Sequence, residues 1–295
     1  MKDAVLCVGE VLWDSMPAGL FLGGAPFNVA CHLSRLGQPV TFVSRVGEDV
    51  LGAEAVRRVR LVGIDSGTVQ VDPALPTGFV KVEVDAEGIP EYEIVRPAAW
   101  DAIALDPDLH DAAAAARAVV FGSLAQRHAT SRRTVQELAS IGGASVFDVN
   151  LRPPFVEPAL VRASLEAADF VKLNEDELQE MARWFALPAS PEAAVRALAD
   201  AFGCRLVCVT RGGAGAALWH EGRWREHPGY PVTVADTVGA GDAFLAALLA
   251  SVLEGSSDEV ALDRACRLGA FVASRPGATP DYEVGTLAEI AALSH

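Results

Sequence analysis

The sequence is poor in lysine. Lys2, Lys81 and Lys172 are the only three in 295 residues, and none follows a glycine, so no Walker-type phosphate loop can be drawn. Positive charge is scarce as a whole: Lys+Arg total 24 against 39 Asp+Glu, a formal net charge of −15. So acidic a chain lacks the basic surface that a phosphate backbone requires, which argues against a nucleic-acid partner. No apolar run reaches 18 residues, and MKDAVLCVGE meets a charge too early for a signal peptide. Neither a membrane span nor a membrane partner is expected. Cysteine is present but unpaired in pattern. Cys7, Cys31, Cys204, Cys208 and Cys266 are odd in number and sit in apolar runs such as RLVCVT, as buried free thiols of a reducing compartment do. The expected location is cytoplasmic. Cys204 and Cys208 lie four apart without a second Cys or His pair, so they outline no zinc framework. No two of the six histidines stand at metal or triad spacing.

The chain does contain a steady alternation of short apolar runs with helical stretches. The runs at Ala4–Val8, Val40–Val46, Ala118–Gly122, Ser145–Val149, Phe170–Leu173 and Leu206–Thr210 are apolar throughout, which predicts strands covered on both faces. Helices are expected from Pro26 to Gly37 and over Leu51–Val62, Arg132–Ile141, Glu175–Trp184, Glu192–Phe202, Ala240–Leu253 and Glu259–Ala273, with an alanine-rich helix near residue 115. Such a βαβα order implies an α/β fold with a mainly parallel central sheet between two helical layers. Two segments break the rhythm. Val11–Leu22 is extended and apolar and runs into a glycine pair, and Phe79–Val95 reads as a hairpin turning at the AEG of 86–88. One domain over 1–295 is expected, with a small β lid from about 11–22 and 76–97.

The chemistry concentrates in DTVGAGDAF at Asp236–Phe244. Gly239, Ala240 and Gly241 allow a tight turn into a helix start whose unpaired N–H groups attract anions, and Asp242 follows in the first turn. On spacing alone Asp242 is either a base beside an anion cradle or a cap for its helix.

DTVGAGDAF resembles the second signature of the ribokinase-like (PfkB) carbohydrate kinases, and GGAPFNVA at Gly23–Ala30 resembles the first. The resemblance covers nearly the whole chain and is closest to the fructokinases of that family. It implies a three-layer αβα fold with a β lid. It also implies an ATP-dependent sugar kinase in which Asp242 is the general base and Gly239, Ala240 and Gly241 form the anion hole. Gly23, Gly24, Asn28 and Asp14 match positions that bind sugar hydroxyls. The bland alternatives are a helix-capping role for Asn28 and an ordinary loop acid at Asp14. KLNEDEL at Lys172–Leu178 resembles the N-x-x-E element, giving Lys172 and Asn174 on the nucleotide side and Asn174 with Glu177 near Mg2+, held through water; an Asn cap with acids in the first turn explains the same residues. VTRGGAG at Val209–Gly215 resembles the family's nucleotide-side loop, which implies Thr210 and Gly212 near the phosphates; a simple hairpin explains the same residues. RPGATPD at Arg275–Asp281 resembles a monovalent-cation segment, with Asp236, Val238, Ala273 and Gly277 as ligands of K+. Cys266 stands where the family often has Asn, a departure on the adenine side.

FDVNLRPPF at Phe147–Phe155 and YEIVRPAAWD at Tyr92–Asp101 resemble fructokinases most, and Leu12 departs from the Asn usual in ribokinases. The expected reaction is phosphorylation of the primary hydroxyl of D-fructose to fructose 6-phosphate. The alternative within the class is 2-keto-3-deoxygluconate kinase, whose carboxylate substrate calls for a lid arginine such as Arg96. Arg96 otherwise reads as a solvated lid charge. The alternative from another class is a catalytically silent sugar-binding sensor, against which the intact GAGD stands. The partners implied are a sugar and ATP, in a chain that can form a homodimer.

Overall fold

The computed structural model describes residues 4–16, 19–84 and 90–282. The hairpin turn expected at 86–88 lies outside them. The main sheet has nine strands: β1 (Val5–Val8), β4 (Val40–Gly47), β5 (Val69–Asp72), β8 (Ala118–Gly122), β9 (Ala144–Asp148), β10 (Phe170–Asn174), β11 (Leu206–Thr210), β12 (Ala216–His220) and β13 (Arg223–His227). Their spatial order is β13-β12-β11-β10-β9-β8-β1-β4-β5. From β5 to β11 all neighbours are parallel, while β12 and β13 close one edge antiparallel. The other strands, β2 (Leu12–Met16), β3 (Gly19–Gly23), β6 (Gly78–Val84) and β7 (Pro90–Ile94), form a second sheet in the order β3-β2-β6-β7.

Helices cover both faces of the main sheet. They are α1 (Ala25–Arg35), α2 (Val50–Leu61), α3 (Pro107–Ala115), α4 (Ala129–Ile141), α5 (Pro158–Glu166), α6 (Glu175–Phe185), α7 (Pro191–Phe202), α8 (Ala240–Leu253) and α9 (Asp258–Ala273). Because side chains alternate along a strand, β1 serves two cores. Val5 and Cys7 pack with α1, α2, α8 and α9; Leu6 and Val8 pack with α3 to α7. This is the three-layer arrangement expected from the continuous apolar strands. Helix α8 is apolar around its whole circumference, and every residue from Asp242 to Ser251 is buried. The consequence for function is that a carboxylate in its first turn is carried into the interior.

The sequence reading missed β5, α5 and the β12–β13 pair. VQVD is four residues long and PALVRASLE follows a proline-rich loop, so neither displays enough periods to register. Helix α4 begins three residues earlier than expected because His128 occupies its N-cap and accepts from Thr130 N–H. No helix among the described residues is long and apolar enough to cross a membrane.

Candidate active site

The residues singled out by sequence gather at the carboxyl ends of the parallel strands, where open α/β sheets bind ligands. Asn174 and Thr210 close β10 and β11 side by side, in register. The start of α1 lies near the end of β1, and the start of α8 faces α1.

Gly239 is the N-cap of α8, with φ 77°, and no side chain caps this helix. A β-carbon on Gly239 would stand 2.5 Å from the Ala278 α-carbon, so both conformation and space require glycine here. Among the described residues the N–H groups of Gly241 and Asp242 have no backbone partner. They form a donor pair at the positive end of a helix, a fit for a phosphoryl group. Asp242 is not the cap. Its Oδ2 accepts from Asn28 Nδ2 at 2.8 Å, a buried contact between residues 214 apart in sequence. Asn28 in turn is fixed on α1, which starts from the Gly23–Gly24 turn. Gly24 has φ 111°, and a β-carbon there would meet the Glu10 carbonyl at 2.4 Å. Gly23 lies against the Asp14 carboxylate, where a β-carbon would come within 2.6 Å of Oδ2.

Burial, reinforced by Asp148, pushes the Asp242 carboxyl up to about 6; Lys172, the Asn28 hydrogen bond and Arg152 pull the other way. The residue is only 8% exposed. Burial likewise pushes Asp14 up to about 6, opposed by Arg152. Glu10 was not picked out by the sequence reading. It is 2% exposed, its Oε1 accepts from Ala25 N–H at 3.3 Å, and its Oε2 has no partner. Burial raises its carboxyl to about 7, with Asp242 adding to the rise and Ala25 N–H and Arg152 opposing it. Arg152 is therefore the positive charge that Glu10, Asp14 and Asp242 have in common. The sequence signal for Glu10 was a charge two residues past a four-residue apolar strand, an expensive place for an idle acid.

Lys172, expected on the nucleotide side, points inward. It is 6% exposed and bonds Asp148 Oδ1 at 3.0 Å and Oδ2 at 3.3 Å. Burial lowers its ammonium, but Asp148, Asp242 and Glu177 outweigh this and hold it above its ordinary value. Its Nζ lies 3.0 Å from where a Gly241 β-carbon would be, so the charge backs the cradle from below. Asn174 and Glu177 form a reciprocal capping box at the start of α6: Asn174 Oδ1 accepts from Glu177 N–H, and Glu177 Oε2 from Asn174 N–H. Glu177 Oε1 takes the Leu151 N–H at 2.8 Å. Each Glu177 oxygen accepts a single N–H and keeps a lone pair, so this carboxylate fits a magnesium ion reached through water.

Thr210 and Gly212 sit where β11 turns back into antiparallel β12, so this glycine-rich segment is a hairpin placed beside Asn174. In the expected cation segment, Asp236 accepts from Val238 N–H and Gly277 N–H, and the Ala273 carbonyl accepts from Ala235 and Asp236 N–H. Among the described residues the Asp236, Val238 and Gly277 carbonyls take no backbone bond, so three of the four expected ligands are available. Arg96 is exposed at the foot of the lid, 5.6 Å over the Phe155 ring, which Arg127 approaches to 4.7 Å. Arg127 is buried in a pair with Asp101 and donates to the Val95 carbonyl.

Comparison with known proteins identifies the family. The model of the pfkB family carbohydrate kinases matches residues 15–284. The fructokinase of Klebsiella pneumoniae is 30% identical over 302 residues, covering 94% of this chain and 95% of that one. Among solved structures, the fructokinase of Vibrio cholerae O395 in its fructose, ADP and calcium ion bound form has a TM-score of 0.81 at 26% identity, covering 98% and 99%. A double mutant of it in a fructose, ADP and potassium ion bound form gives 0.82 at 25%, covering 98% of each. The aminoimidazole riboside kinase of Salmonella enterica shares the fold, with a TM-score of 0.81 at 24% identity and coverage of 98% and 99%. The chain belongs to the pfkB family of carbohydrate kinases. Its activity is that of an ATP-dependent sugar kinase.

Proposed function

We propose that the enzyme phosphorylates the primary hydroxyl of D-fructose, with Asp242 as the base. The observation that carries the reading is the Asp242–Asn28 contact. It joins the helix start that cradles phosphate to the helix start that faces the sugar, and it leaves one carboxylate oxygen for a hydroxyl. Asp14 and Asn28 hold the sugar hydroxyls through their side chains, which offer the acceptor and donor that a hydroxyl needs, and Gly23 contributes only backbone groups. As the hydroxyl oxygen forms its bond to the γ-phosphorus of ATP, its proton passes to Asp242 and the bond to the ADP oxygen breaks. Gly241 and Asp242 N–H groups stabilise the charge on the transferring group, and Lys172 beneath them adds to that field. Magnesium, when bound with the nucleotide, neutralises phosphate charge on the Asn174–Glu177 side. The Val238 and Gly277 carbonyls would hold a potassium ion, which would steady the loop that carries the cradle.

The fructose assignment rests on the fructokinase relatives named above. Release of ADP across fructose, 2-keto-3-deoxygluconate, ribose, tagatose and adenosine tests it. Fructose should give the highest kcat/KM. A preference of about tenfold or more for 2-keto-3-deoxygluconate, about 1.4 kcal/mol in transition-state binding, would overturn it in favour of a carboxylate substrate read by Arg96 or Arg152.

A further inference from the structure

The mechanism makes no use of His32, yet it is a fully buried ring on α1, one turn beyond Asn28. Its Nε2 stands 3.0 Å from the Ala278 carbonyl and its Nδ1 3.0 Å from the Tyr282 hydroxyl. A carbonyl only accepts, so Nε2 carries the proton and Nδ1 accepts from the Tyr282 O–H. The ring and the phenol also stack, with centroids 5.7 Å apart and an interplanar angle of 18°. Burial drives the imidazole down to about 4, so it stays neutral and holds this tautomer at ordinary pH.

One turn further along α1, Arg35 continues the attachment. It donates to the Thr279 and Pro280 carbonyls and pairs with Asp281 at 2.8 Å. Residues 278–282 are thereby strapped along the second half of the helix whose first half carries Asn28. The strap reaches the other side of the site as well. Ala278 is the residue that fills the space beside Gly239, and Gly277 N–H is held by the Asp236 carboxylate.

We propose that the His32–Tyr282 pair is a latch that positions the phosphoryl cradle: it fixes Ala278, and Ala278 fixes Gly239 at the start of α8. His32 and Tyr282 touch no reacting atom and act as positioning residues. Helix α1 then has two tasks. Asn28 orients the base Asp242 on the sugar side, and His32, through the strap, sets the height of the anion-binding N–H groups on the nucleotide side. The alternative is that the strap only adds core stability, as a buried aromatic pair often does.

The inference rests on the reading of Gly239–Gly241 as the cradle, and the experiment separates the two. Steady-state kinetics of the full chain, with ATP and the sugar varied in turn, are compared for Tyr282→Phe, His32→Phe, His32→Gln and Gly239→Ala, and thermal midpoints are measured on the same preparations. The latch predicts that Tyr282→Phe and His32→Phe lower kcat/KM for ATP by about two- to tenfold, the scale of one lost hydrogen bond, while KM for the sugar keeps its wild-type value. His32→Gln, which keeps a donor for the Ala278 carbonyl, should recover part of the His32→Phe loss. If Gly239→Ala is impaired and the latch variants show wild-type kinetics at any thermal midpoint, the pair is structural only and the latch is refuted. Equal losses for sugar and ATP refute it too, since they indicate general disorder of α1. Unimpaired turnover in Gly239→Ala removes the cradle reading and the latch with it.

Discussion

Taking a carboxylate out of water disfavours its charged form, and the same burial strengthens it as a base once charged. At Asp242 both effects fall in a useful range. The carboxyl is pushed up to about 6, so it is charged at neutral pH and protonated in mild acid. As pH falls below about 6, kcat/KM should decline, and Asp14, which titrates in the same region, contributes to that limb. A profile flat down to pH 5 would contradict the assignment. Stability should move oppositely. Because the folded value lies above the ordinary 3.8, the stabilisation from this group is complete below the ordinary value and is lost as pH rises through about 6. The rise is worth roughly 3 kcal/mol, an upper figure for what Asp242→Asn relieves. That variant should therefore melt several degrees above wild type at pH 8 and lose the advantage as pH drops below 6, which a pair of thermal scans checks.

Between elements, the most consequential polar contact is the one joining β9 to β10. Asp148 and Lys172 are register partners on adjacent parallel strands, both buried, and the pair lies under Gly241. Breaking such a pair strands a charge in the interior at a cost of about 3–5 kcal/mol. Lys172→Met should be destabilised on that scale in denaturant unfolding, and the double change with Asp148→Leu should recover much of it. A double variant as unstable as the sum of the two singles would show that the side chains act independently. Legibility also divides at this scale. The parallel strands other than β5, and α8, were readable because their apolar runs are uninterrupted, and GAGD announced a helix start. The partnership of Asp242 with Asn28 was not readable, since nothing local links residues 214 apart. Nor was the role of Lys172. A lysine preceding Leu173 and Asn174 gives no sign that it turns inward to Asp148 instead of outward to a nucleotide. Glu10 and His32 were passed over for the same reason: a single titratable residue in an apolar stretch acquires meaning only from what the fold packs against it.

For the molecule as a whole, the fold places two helix N-termini, those of α1 and α8, across from each other at the strand ends, together with a second sheet in which β2 and β6 pair in parallel. In the proposed function one helix start serves the sugar and the other the phosphoryl group, and transfer happens where they meet. If potassium occupies the Val238 and Gly277 carbonyls, activity at matched ionic strength should rise when potassium replaces a bulky organic cation; equal rates would remove the ion from the account. The claim on which all of this depends is that Asp242 takes the proton. The direct measurement is kcat of Asp242→Asn, with sugar and nucleotide affinities and the thermal midpoint taken on the same preparation. Asparagine keeps an oxygen for Asn28 Nδ2 and cannot accept the proton, so kcat should fall by about 10²–10⁴-fold in a protein that still binds both substrates. A folded variant that retains more than about a tenth of wild-type kcat, well short of what a positioned base contributes, would contradict it.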